Sequence, residues 1–148
     1  MRANRRDIWT AVLAAMAFAS LASLSFVATP VKFLAQDVPL AHLLAVGRVT
    51  FRASLAVESV LLVALLLSAR GKIRLLVCGA GGLLLFQWIV LMPGLDERTL
   101  ARIAGAILEP TSLHHWWIFL DVAKLGVYAS IGHIALRSQA SNSHNVAH

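Results

Sequence analysis

Five charged side chains lie inside strongly apolar stretches of this sequence, and residues of these types could build a polar site. They are Arg48, Arg52 and Glu58 in one stretch, and Asp121 and Lys124 in another. A charge within a membrane span costs about 2.5–3.5 kcal/mol on insertion scales, so such residues normally face the protein interior and find partners. Arg52 and Asp121 have opposite signs and similar depths, which predicts one ion pair. The same reasoning predicts a second pair between Glu58 and Lys124, with Arg48 nearer the outer surface.

This predicted charge network has two interpretations. It can be a polar pathway or an anion-binding site between the two helices that contain these residues. It can instead be a buried ion-pair network that only fixes how the helices pack, because charges inside a membrane commonly pair with one another. The spacing of the residues does not specify a substrate.

Three histidines are candidate ligands for haem or a metal ion. His42, His114 and His115 all lie at the predicted outer ends of apolar segments, and a neutral imidazole is a common ligand of both groups. The alternative is that they are polar residues at the membrane interface. Trp116 and Trp117, which follow directly, favour that alternative because aromatic belts form at this depth.

Sequence signatures of soluble enzymes are absent from the chain. It has no G-x-S-x-G motif, no phosphate-binding loop, no H-E-x-x-H motif and no C-x-x-C motif. Catalysis within the membrane does not require these motifs, so enzymatic activity stays open. The sequence favours a protein that is not an enzyme.

The elements that must position these residues follow from composition. Of the 148 residues, 59% are hydrophobic and 14% are charged, and the mean hydropathy is +0.76. Soluble domains are about 45–50% apolar and about 25% charged, so the chain is predicted to be an integral membrane protein. We expect an all-α four-helix bundle in a single transmembrane domain, residues 1–148. The predicted spans are residues 8–29 (interpreted as uncleaved), 43–69, 74–93 and 113–136.

A short amphipathic helix is predicted between the third and fourth spans, at residues 97–108. Leu100, Ile103 and Ile107 lie on one helical face, and Arg98 and Arg102 lie on the opposite face. A helix of about three turns is too short to cross the bilayer, so we expect it to lie in the membrane interface. Pro93 and Gly94 are expected to end the span before it.

Small residues occur every fourth position in the first span, at Ala11, Ala15, Ala19 and Ser23. Ridges of small side chains let helices approach closely in lipid. Together with the glycines of the third span, this ridge indicates contacts with other membrane protein subunits or self-association.

The orientation follows from the distribution of lysine and arginine. Seven of these residues fall at the N-terminus, the second loop and the C-terminal tail, and three fall in the other two loops. The seven are Arg2, Arg5, Arg6, Arg70, Lys72, Arg74 and Arg137, and the three are Lys32, Arg98 and Arg102. Both termini are therefore predicted in the cytoplasm, in a bacterial inner membrane. The net charge of +6 is explained by topology and anionic lipid headgroups, so no nucleic-acid partner is expected.

Four short motifs together resemble those of a known group of proteins. They are Ser25-Phe26-Val27-Ala28-Thr29-Pro30, Gly47-Arg48-Val49-Thr50-Phe51-Arg52, Met92-Pro93-Gly94-Leu95-Asp96 and Leu113-His114. Over about residues 20–136 the chain resembles small four-helix membrane proteins of unknown function, similar to the copper-resistance-D-like group. The resemblance implies a four-helix bundle, and some members of the broader group handle copper or haem. It assigns no ligand residues in this chain.

Three functions of different classes are consistent with these features. The first, which requires the fewest assumptions, is that of a non-catalytic accessory or assembly subunit of a larger membrane complex. The second is a haem- or metal-handling bundle that uses the outer histidines. The third is a small transporter that uses the buried charges. The cofactor is not specified by the sequence.

Overall fold

Four long apolar helices make up almost all of the computed structural model, which describes residues 5–35 and 37–144. They are α1 (Arg5–Leu34), α2 (Leu40–Ser68), α3 (Gly71–Ile103) and α4 (Leu113–His144). Each is long enough and apolar enough to cross a membrane. The predicted all-α, four-helix membrane architecture is confirmed.

Two of the helices contain a π-helical segment that ends two residues before a proline. Ser23–Ala28 precedes Pro30 in α1, and Gln87–Leu91 precedes Pro93 in α3. A proline inside a helix lacks the N–H donor and its ring clashes with the carbonyl four residues earlier, a strain that the wider π turn accommodates. The helix therefore continues through each proline. The expectation that Pro93 ends the third span was wrong.

The end of α3 also differs from the sequence prediction. The amphipathic segment predicted at residues 97–108 is helical only to Ile103, and it is a continuation of α3 rather than a separate helix. Gly105, at a φ of 89°, ends it. The Gly105 N–H donates to the Arg102 carbonyl, and the Ala106 N–H donates to the Ala101 carbonyl. This is the Schellman pattern, which requires the left-handed conformation that glycine adopts without strain.

The helices pack around a common axis in chain order. α1 packs against α2 and α4, and α3 packs against the same two helices, so α2 and α4 lie on a diagonal. Two apolar clusters fill the axis. One includes Ala14, Leu65 and Ile131, and the other includes Leu55 and Trp117. Between the clusters is a layer of buried polar side chains.

The face of α1 that packs in the bundle is not the predicted ridge of small residues. Thr10, Ala14, Ala17 and Leu21 are the buried side chains of its α-helical part. Ala15, Ala19 and Ser23 are exposed on the outer surface. The ridge is therefore directed away from the bundle axis.

Candidate functional site

The centre of the bundle contains an ion pair across the diagonal between α2 and α4. Lys124 Nζ donates to Glu58 Oε2 at 2.6 Å, and the Tyr128 hydroxyl donates to Glu58 Oε1 at 2.7 Å. The side chains of Lys124 and Glu58 are 0% and 5% exposed. The predicted Glu58–Lys124 pair is present.

Asp121 joins the same network and connects it to the remaining two helices. Its Oδ1 atom accepts a hydrogen bond from Gln87 Nε2 at 2.9 Å and lies 3.3 Å from Lys124 Nζ. Ser25 Oγ donates to its Oδ2 atom at 2.7 Å. All four helices therefore contribute a polar side chain to one buried layer. Gln87 Oε1 is buried with no hydrogen-bond partner among the residues that the structure describes.

The π-helical segments supply two members of this layer. Ser25 lies in the segment of α1 and Gln87 in that of α3. Neither Gln87 nor Ser25 is among the site residues predicted from the sequence. One signal for Gln87 was available in the sequence. Its amide lies in a span without charged residues, a few residues before Pro93.

The predicted Arg52–Asp121 pair was wrong. Arg52 Nη2 lies 2.6 Å from Asp96 Oδ2, and Arg48 donates to both oxygens of the same carboxylate. The physical reason is the continuation of α3 beyond Pro93. That continuation places Asp96 beside the first half of α2, so the arginines meet α3 and not α4.

The two charge clusters have opposite net charges. The buried network contains the carboxylates of Glu58 and Asp121 and one ammonium group, that of Lys124. The cluster near the end of the bundle contains two guanidinium groups and the carboxylate of Asp96. With full ionisation, the formal charge of the buried network is −1 and that of the end cluster is +1.

Two adjoining cavities lie at the end of the bundle where α1 and α3 end and α2 and α4 begin, which we call the cavity end. The first is about 300 Å³ and is bordered by Ser25 and Asp121; the second is about 230 Å³ and is bordered by Lys32, Arg48 and Asp96. Both are lined by Thr29, Phe33, Phe51 and His114. Phe26 and Trp117 add aromatic surface to the first. Together the cavities connect the end cluster to the buried network.

Lys32 places a further positive charge in the second cavity. Its Nζ atom lies 5.0 Å from the ring centroid of Phe33 and 5.7 Å from that of Phe51. Gly47 is buried beneath it, and a Cβ atom at that position would meet the ammonium group. Among the described residues, no carboxylate lies within ion-pair distance of Lys32. Glycine thus provides the space in which an unpaired ammonium group lies.

Within the described part of the chain, the three candidate histidines do not form a cluster with other metal-ligating side chains. His114 borders both cavities, whereas His42 and His115 border neither. All three side chains are exposed. In residues 5–35 and 37–144 there is no group of three or more His, Cys, Asp or Glu side chains placed to hold a metal ion. Haem or metal binding by these histidines stays a prediction.

Comparison of the chain with family models, curated proteins and solved structures gave no significant match. The resemblance to the copper-resistance-D-like group also stays a prediction. The geometry of the cavities and the charges that line them therefore carry the proposed function.

Proposed function

We propose that this protein is a non-catalytic membrane protein that binds a small organic anion at the cavity end of the bundle. The observation that carries the proposal is the Lys32 ammonium group, which borders a cavity and has no carboxylate partner in the described structure. Arg48 borders the same cavity, where it shares Asp96 with Arg52. If all four of these side chains, Lys32, Arg48, Arg52 and Asp96, are ionised, their net charge is +2. This charge favours the binding of an anion.

The lining of the first cavity indicates the chemistry of the rest of the ligand. Phe26, Phe33, Phe51 and Trp117 border it, and its polar groups are few. Ligand sites are typically apolar concave surfaces with a small number of placed polar groups. A ligand with an acidic group near Lys32 and an apolar or aromatic body in the first cavity would therefore fit both cavities. A hydrated inorganic anion would leave the aromatic surface unused.

The bundle interior favours binding over conduction through a single copy. The first cavity ends at Asp121, and beyond it lie the ion pair of Glu58 and Lys124 and then a closely packed apolar cluster. A ligand in the cavity is therefore in contact with one end of the bundle only. A role as a small transporter would require this layer to rearrange.

Thermal unfolding of the purified full-length protein in detergent tests the proposal. The probes are 2-naphthoate, the uncharged 2-naphthalenemethanol and inorganic phosphate. A ligand that binds only the folded state stabilises it by about 1.4 kcal/mol at a concentration ten times its Kd. We expect a saturable rise in the unfolding midpoint with naphthoate and none with the alcohol or with phosphate.

Two matched variants locate the site. Lys32→Gln removes the unpaired ammonium group and should abolish the naphthoate shift. Lys72→Gln removes an exposed lysine at the start of α3, at the opposite end of the bundle, and should leave the shift intact. An equal shift with the uncharged alcohol, or a shift that survives Lys32→Gln, would refute anion binding at this cavity.

A second candidate function, a subunit of a larger membrane complex, is favoured by the outer surface. Ala15, Ala19 and Ser23 form an exposed strip of small side chains on α1, and such strips allow close helix contacts in lipid. Light scattering of the detergent-purified protein measures the mass of any assembly. Ala19→Phe should disrupt it, whereas Val60→Phe, on the exposed surface of α2, should not. Assembly unaffected by Ala19→Phe would contradict this surface assignment.

The remaining proposals concern location and cofactor. We infer a bacterial inner membrane with both termini in the cytoplasm, on the lysine and arginine distribution. An optical spectrum of the purified protein tests haem binding. A Soret band lost on joint replacement of His42 and His114 would support the histidine assignment. A band that persists at full intensity in that variant would exclude these ligands.

A further inference from the structure

The buried network lacks one positive charge. Glu58 and Asp121 can each carry a negative charge, and Lys124 is the one cationic side chain within ion-pair distance of either in the described residues. The other contacts, from Ser25, Gln87 and Tyr128, are neutral. Uncompensated charge within a membrane-spanning bundle is costly, so full ionisation of both carboxyl groups is disfavoured.

We propose that the network is a proton-binding site and that the proton is held on Asp121 Oδ2, facing Ser25. A hydronium ion from solvent transfers its proton to Asp121 Oδ2: one O–H bond of hydronium breaks, the carboxylic O–H bond forms, and a water molecule is released. The remaining charges, on Glu58 and Lys124, then balance. This proposal does not depend on the binding of an organic anion.

Hydrogen-bond geometry assigns the proton to Asp121 rather than to Glu58. Glu58 Oε2 faces the Lys124 ammonium group, which has donors only. Its Oε1 atom faces the hydroxyl of Tyr128, a side chain that is 1% exposed. A proton on Oε1 would force that hydroxyl to accept, and its own hydrogen would then have no acceptor among the described residues.

Asp121 Oδ2 has a partner that can reverse its role. Ser25 Oγ, 2.7 Å away, donates to an ionised Asp121 and can accept from a protonated one, since a hydroxyl does both. Ser25 also borders the first cavity, so its own hydrogen can be directed there. The second oxygen, Oδ1, keeps its contacts with Gln87 and Lys124 in both states.

The groups facing Asp121 come from every helix. α1 contributes Ser25, α2 contributes Glu58 through the shared lysine, and α3 contributes Gln87. On α4 itself, Lys124 lies one turn away and His114 borders the same cavity. No ion pair joins His114 to Asp121 in the part of the chain that the structure describes. His114 is close enough to interact electrostatically with Asp121, but a neutral imidazole does not supply the missing charge.

A proton fits this position better than a metal cation. Sodium, calcium and similar hard cations require several oxygen ligands. Besides Asp121 and Ser25, the polar side chains that line this cavity are His114 and Thr29, whose hydroxyl donates to the Leu24 carbonyl; the remaining lining side chains are aromatic or aliphatic, including Phe26 and Trp117. Because Asp121 borders this cavity, the proton can exchange with solvent at the cavity end without crossing the apolar cluster beyond the network.

Infrared spectroscopy of the full-length protein in lipid nanodiscs at neutral pH tests the proposal. A protonated carboxyl group gives a C=O stretching band that ionised carboxylates do not give. We expect this band in sodium-free buffer, a frequency shift after incorporation of aspartate labelled with ¹³C at the side-chain carboxyl, and no shift with labelled glutamate. Asp121→Asn should abolish the band, and Glu97→Gln, at an exposed carboxyl, should retain it.

The same variant provides a second measurement. Asparagine is close in shape to a protonated aspartate, and its Nδ2 can donate to Ser25 Oγ as the acid would. The unfolding midpoint of Asp121→Asn at neutral pH should therefore match that of the unsubstituted protein. Absence of the band in the unsubstituted protein, a shift only with labelled glutamate, loss of the band on adding sodium, or an unfolded Asp121→Asn variant would each overturn the proposal.

Discussion

Removal of the buried ammonium group should destabilise the protein more than removal of its closest carboxylate partner. Lys124 Nζ lies 2.6 Å from Glu58 and 3.3 Å from Asp121, and its side chain is fully buried. Lys124→Met leaves the Glu58 charge with no cation to balance it. Breaking a buried pair in this way costs about 3–5 kcal/mol in the free energy of unfolding. Total stabilities of about 5–15 kcal/mol are typical, so the loss is large.

Glu58→Gln should cost less because the structure provides a replacement counter-charge. Asp121 already lies beside Lys124 and can balance it when Glu58 is neutral. The remaining loss comes from weaker hydrogen bonds to Lys124 and Tyr128, at about 1–3 kcal/mol. In the double variant, with Glu58→Gln and Lys124→Met, no charge is left without a partner once Asp121 is protonated. The double variant should therefore be more stable than Lys124→Met alone.

The assay is equilibrium unfolding in detergent, followed by tryptophan fluorescence. Trp117 is 3% exposed and lies one turn before Asp121, so its emission reports on this part of the bundle. Lys72→Met, at an exposed lysine, is the matched control and should change stability by less than about 0.5 kcal/mol. Equal losses for the two single variants, or losses that simply add in the double variant, would show that the carboxylates do not share Lys124.

Three further predictions concern the cavity end and the topology. Arg52→Gln should change stability by at most about 1 kcal/mol, because its side chain is 51% exposed and surface ion pairs contribute little; equilibrium unfolding measures this. Gly47→Ala should displace the Lys32 ammonium group and weaken the naphthoate shift in thermal unfolding, whereas Gly82→Ala, where a Cβ meets open space, should leave that shift unchanged. In a Cys78→Ala background, Lys72→Cys should react with impermeant reagents only from the cytoplasmic side; labelling from outside would reverse the proposed topology.

Positions along a helix axis could be predicted well from the sequence. Each residue advances an α-helix by 1.5 Å, so the depth of a charge in a span follows from counting. That is why Glu58 and Lys124 were correctly paired across two helices. Counting gives no information about which neighbouring helix a side chain faces, and Arg52 and Asp121 were paired by depth alone.

The polar layer around Asp121 could not have been assembled from spacing. Ser25 and Gln87 contact it from π-helical segments, whose wider turns break the regular periodicity of 3.6 residues on which face assignments depend. The continuation of α3 to Ile103 also depends on such a segment. Without that continuation Asp96 would lie between the predicted third span, residues 74–93, and the predicted interfacial helix, residues 97–108.

The sequence by itself determined the class of this protein, the number of its helices and the depth of its charges, because these depend on composition, length and a fixed rise per residue. The tertiary structure alone decided which partners Arg52 and Asp121 meet. The rotation of each helix about its axis and the continuation of α3 through Pro93 follow from packing among all four helices, and these place Arg52 at Asp96 and Asp121 at Ser25. The position of the Lys32 ammonium group likewise depends on Gly47 of a different helix, where a Cβ atom would collide with it.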